Sequence, residues 1–86
     1  MNIFYVREYT EPMTGTMPDP DARSEILYTL SAAKDEAIDL AYEEPGVAFQ
    51  VIEVLDSGEI VKHDVFEVEN NERKTRLQES GQWGCA

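Results

Sequence analysis

Apolar residues gather in four short stretches along this chain, and in a further stretch they recur at helical spacing. Ile3, Tyr5 and Tyr9 alternate with Phe4 and Val6 before Pro12, which predicts a first strand over 2–10. The run EILYTLS at 25–31 is β-branched and aromatic enough to predict a second strand, paired with the first as a hairpin. In AAKDEAIDLAYEE, Ala33, Ala37, Leu40 and Ala41 share one face, Ile38 and Tyr42 flank it, and Ser31 is placed to cap the helix that Pro45 and Gly46 end. VAFQVIEVL at 47–55 is apolar on both faces, as a central strand is. The tight turn Asp56-Ser57-Gly58 leads into EIVKHDVFEVE, a return strand whose imperfect alternation predicts a bulge or an exposed edge.

The predicted order is therefore β, β, α, β, β. The expected fold class is α+β, a small ββαββ domain with a mostly antiparallel sheet and one helix packed on one face. It occupies residues 1–69 as a single domain. Residues 70–86 read as a tail, in which Asn71 can cap one or two turns of helix through Leu77 before Gly81. Between the first two expected strands lies a long loop, TEPMTGTMPDPDARSE at 10–25. Hairpin loops usually have two to five residues, and longer ones are often functional, so Met13 and Met17 become candidate adaptable contacts.

Length and charge narrow the function. A chain of 86 residues is one small domain, too short for a deep cofactor cleft. Its 18 acidic and 7 basic residues give a net charge of −11. Residues 31–69 carry 11 of the acids and only 2 of the bases, so the middle of the chain makes the field. Such a surface repels nucleic acid and anionic membrane and attracts basic protein surfaces. No apolar run reaches the roughly 18 residues that span a bilayer, and the start MNIFYVREY lacks the pattern of a secretory signal. One cysteine, Cys85, permits no internal disulfide. A cytoplasmic location follows as the expectation.

The residues offer little for catalysis. His63 and Cys85 are each alone of their kind, which argues against a zinc set or a Cys/His nucleophile pair, and no glycine loop for phosphate exists. Asp19, Asp21 and Glu25 lack the third acid and the central glycine of a calcium loop. Arg73, Lys74 and Arg76 are the only basic cluster, and they fall in the tail without interleaved aromatics. No enzyme, cofactor or metal is expected. What remains is protein binding, through the acids Asp35, Glu36, Asp39 and Glu43 of the helix, Asp64, Glu67 and Glu69 of the return strand, Met13 and Met17 of the loop, and Trp83 of the tail.

Over residues 25–54, DEAIDLA (35–41) followed by FQVIEV (49–54) resembles the strand, helix, strand unit of the RNA polymerase inhibitor of short-tailed coliphages. Glu53 stands where that family's strand carries a basic residue, so no contact residue is carried over. In size and charge the chain is also similar to the wider class of small acidic phage-encoded inhibitors of host proteins, anti-CRISPR and anti-restriction proteins among them. The resemblance implies a small α+β protein that docks on a host protein in the host cytoplasm. The expected function is non-catalytic occlusion of a host protein's basic nucleic-acid-binding surface, with no direct contact to nucleic acid or membrane. The alternative is a housekeeping interaction module, such as a homodimer joined at strand edges, whose acidity serves only solubility.

Overall fold

The computed structural model describes residues 1–9 and 22–69, together with the backbone of Leu77–Ser80. Strand β1 (Ile3–Glu8) is followed by helix α1 (Leu30–Glu43), then β2 (Ala48–Val54), β3 (Ile60–Val68) and β4 (Leu77–Ser80). The strands form one antiparallel sheet in the order β1-β2-β3-β4. The protein is thus an α+β domain with its helix laid on one face of a meander.

The composition of the two layers explains their closeness. Ala33, Ala37 and Ala41 stand at i, i+4 and i+8 on α1 and are fully buried, with Leu40 beside them. Facing them, the sheet presents Phe4 and Val6 of β1, Phe49 and Val51 of β2, and Phe66 and Val68 of β3. Large rings on the sheet meet small side chains on the helix, so large and small interdigitate. The other face of the sheet is buried as well: Tyr5, Ile52 and Val65 lie there, and so do Arg7 and Gln50, opposite each other in register. The central position expected for 47–55 is what β2 occupies.

Residues 25–31 do not form the expected second strand. Leu27 exchanges both backbone hydrogen bonds with Phe4, at 2.8 Å each, and Ala22 bridges Arg7, so the segment does run antiparallel along the outer edge of β1. Between these bridges Ser24 takes the place of a ladder partner, its Oγ accepting from the Val6 N–H at 2.8 Å. Leu27 packs on the core, while its neighbours Ile26 and Tyr28 are exposed. Leu30 and Ser31 already belong to α1. The cap is Thr29, not Ser31: Thr29 is extended, with φ −134° and ψ 150°, and its Oγ1 accepts from the Ala32 N–H at 3.1 Å. At the other end of the chain Leu77–Ser80 is a strand paired with β3, so these residues belong to the sheet and the expected helix does not reach Leu77. The rest of that expected helix lies outside the described residues.

The turns follow their chemistry. Gly58, at φ 91°, donates to the Leu55 carbonyl at 2.8 Å and closes the Asp56-Ser57-Gly58 loop that joins β2 to β3. The expected bulge is present: Gln50 pairs with Val65 and Ile52 with Lys62, leaving Val51 opposite both His63 and Asp64. At the far end, the Arg23 guanidinium bonds to the carboxylates of Glu8 and Glu44 and lies over the Phe49 ring, 5.5 Å from its centroid. One side chain thereby ties the segment before α1, the end of β1 and the C-terminus of α1 together.

The position of the cap can be measured. Thr29→Ala should destabilise the fold by about 1 kcal/mol in urea denaturation, while Ser31→Ala, inside the first turn, should stay within about 0.5 kcal/mol. The reverse ranking would restore Ser31 as the cap.

Candidate protein-binding surface

Burial of the alanine stripe determines what α1 shows to the outside. At 100° per residue, Asp35, Asp39 and Tyr42 fall opposite Ala37, with Glu43 and Glu36 beside them. Asp35, Asp39 and Glu43 are exposed, Glu36 is partly so, and Tyr42 keeps 51% of its surface. None of the four acids forms an ion pair within the described residues. The nearest cation along the helix, Lys34, turns towards the sheet and pairs with Asp64 at 3.3 Å. Among the described residues nothing offsets the charge of the stripe.

The remaining predicted contacts separate. Asp64 is half-buried and already compensated by Lys34, so it offers little to a partner. Glu67 lies between Phe66 and Val68, both in the helix-facing core, and strand alternation puts it on the opposite face. Glu69 is exposed just past the end of β3. The structure thus gathers Asp35, Glu36, Asp39 and Glu43 on one element and does not unite them with the acids of the return strand. Met13, Met17 and Trp83 lie outside the described residues, as do Asp19, Asp21, Cys85 and the Arg73, Lys74, Arg76 cluster.

Beside the stripe, between α1 and β3, is an open depression of about 380 Å³ lined by Leu30, Ser31, Lys34, Asp35, Ile38 and Phe66. Sequence reasoning missed it. The sequence places Ile38 at the flank of the helix and Leu30 in an expected second strand, and only the register of β3 shows that Phe66 lies under them. Tyr42 was missed as a surface residue for a similar reason, since its place at i+3 from Asp39 is visible in the spacing but was read as the margin of the core.

A second polar group sits at the β1-β2-β3 junction. Glu53 faces Phe4 in register and accepts from Asn2 Nδ2 at 2.6 Å, while its other oxygen is 2.8 Å from His63 Nε2. The His63 ring lies 6.2 Å from that of Phe4, and Gln50 Nε2 donates to the His63 carbonyl at 3.2 Å. A glutamate inside a central strand needs such partners. The hydrogen bond from His63, then that from Asn2, hold the Glu53 carboxyl below its ordinary value of 4.5, against an opposing push from desolvation. Among the described residues no group of three or more His, Cys, Asp or Glu could hold a metal ion, and no helix is long and apolar enough to cross a membrane.

Comparison of the chain with protein-family models, with curated proteins and with solved structures finds no match. The reading of function therefore stands on this chain's own residues.

Because the Glu53 pKa is depressed in the folded state, its contribution to stability is present above the unfolded value and is lost as pH falls through the folded one. Glu53→Gln should accordingly weaken the dependence of stability on pH below about 4.5, and the carboxyl carbon of Glu53 should titrate below the ordinary glutamate range by NMR. A normal titration midpoint would remove this network as a source of acid sensitivity.

Proposed function

We propose that the protein is a small, non-catalytic, phage-type inhibitor that binds a host protein and covers its basic nucleic-acid-binding surface, with the outer face of α1 as the principal contact. Support for this reading comes chiefly from the stripe of Asp35, Glu36, Asp39 and Glu43, without ion-pair partners among the described residues, on a helix anchored by its other face. From Asp35 to Glu43 a helix rises about 12 Å, so the four carboxylates stand roughly one per 4 Å of axis. Phosphates along one strand of B-DNA stand about one per 3.4 Å of axis. A cationic groove shaped for phosphates would meet a comparable density of negative charge on α1. The exposed Tyr42 beside Asp39 adds an amphipathic anchor of the kind enriched at interfaces.

The same charge sets the partner's chemistry. Nucleic acid and anionic membrane would be repelled, whereas Lys- and Arg-rich protein surfaces would be steered towards the stripe. The proposal covers anti-CRISPR, other anti-defence and transcription-inhibiting roles as one class.

The test compares the wild type with the triple variant Asp35→Lys, Asp39→Lys, Glu43→Lys. These side chains project from the exposed face and Lys is favourable near a helix C-terminus, so circular dichroism and thermal stability should be preserved. Immobilised wild type should retain a nucleic-acid-binding protein from host lysate, release it as salt rises from about 50 mM to about 500 mM, and lose it to added duplex DNA. The folded triple variant should retain at least about a hundredfold less, since like charges facing each other at an interface cost several kcal/mol. Undiminished binding by the folded variant would remove α1 from the interface and return its acids to a role in solubility.

A further inference from the structure

We infer that the depression between α1 and β3 is an anchor site for one apolar side chain of a basic partner segment. The inference rests on the reading of α1 as a docking face and adds the feature that gives it a defined register. Leu30 and Ile38 line it, with the almost fully buried Phe66 at its base, so the interior is largely apolar. Its rim is charged. Asp35 belongs both to the rim and to the outward stripe, and Asp39 follows it one turn further along α1. Lys34 is the single cation on the rim, and its charge is already met by Asp64 at 3.3 Å. An apolar side chain entering here would therefore have next to it carboxylates with no ion-pair partner among the described residues. A segment bearing Lys or Arg on either side of an aromatic or large aliphatic residue matches both features at once.

The volume of about 380 Å³ lies at the small end of ligand pockets, large enough for one side chain and too small for a folded element. Charge alone would let a basic partner slide along α1, because a stripe of similar carboxylates has no unique register. A single buried anchor at the margin of the stripe fixes one position and places the flanking cations against Asp35 and Asp39.

The probes are the capped peptide Lys-Lys-Lys-Trp-Lys-Lys-Lys and its counterpart with Ala in place of Trp, each titrated into the isotope-labelled full chain and followed by NMR. The Trp peptide should bind about tenfold more tightly than the Ala peptide and should shift the amides of the residues lining the depression. In Ser31→Trp, which places a ring at the mouth from an exposed position, that advantage should vanish while the Ala peptide binds as before and the circular dichroism is unchanged. Equal binding of the two peptides overturns the anchor site but leaves the carboxylate surface standing, because the Ala peptide reports charge alone. An advantage that persists in folded Ser31→Trp also overturns it. If neither peptide binds, the anchor site and the docking face both fall. Shifts at the same amides on concentrating the protein without peptide identify a second copy as the occupant, and overturn the inference too.

Discussion

One extra residue in β3 sets the phase on which the rest of the arrangement depends. Side chains of a strand alternate between faces, so Val61, which pairs with the core-facing Glu53, would in a regular strand be followed on that face by Val65 and Glu67. The bulge opposite Val51 absorbs His63 and Asp64 together. Beyond it the alternation is reversed, so Phe66 and Val68 enter the core under α1 and Glu67 turns away. Without that slip the Glu67 carboxylate would have to be buried against the alanines of α1, and the Phe66 ring would be lost from that face. The two bulged residues are put to use: His63 reaches Glu53 and the ring of Phe4, and Asp64 reaches Lys34.

The helix inherits its orientation from that packing. Three fully buried alanines in one line leave α1 little freedom to roll, since rotation by one position would drive Lys34, Ile38 or Glu36 into the space they fill. Fixing the inner face also fixes the outer one. The row of Asp35, Asp39 and Tyr42 is held outward by the same contacts that make the core, so a binding surface on α1 would be rigid without contacts of its own. Arg23 braces the far end by joining Glu8, Glu44 and the Phe49 ring.

The parts of the fold that were legible in the sequence are those governed by periodicity. The central strand, the Asp56-Ser57-Gly58 turn, the bulged return strand and the buried face of the helix all follow from residue types at spacings of 2 or 3.6. Non-local partners account for what was not legible. EILYTLS has strand composition, but Ser24 supplies its Oγ to Val6 where a backbone partner would stand, and Thr29 starts a helix that takes Leu30. Leu77–Ser80 gives no strong local signal because its strand exists through pairing with β3. For the candidate site, the acids of α1 could be grouped from their i, i+4 spacing, whereas the depression could not, since it needs Phe66 brought under Ile38 by the bulge.

The placement of charge on α1 bears on why it is there. No acid occupies the first turn and no base the last, and the acids run from Asp35 to Glu43 towards the negative end of the helix dipole. Each would stabilise the helix more at its N-terminus, where Ser31 and Ala32 stand instead. Glu44 is offset by Arg23, but Glu43 and Asp39 have no ion-pair partner among the described residues. A chain selected only for solubility has other exposed positions on which to carry this charge without opposing its own helix, Ser31 and Ser57 among them. Concentrating the charge on the one outward face, at a small cost to helix stability, favours a surface shaped by what it meets over one shaped by the solvent.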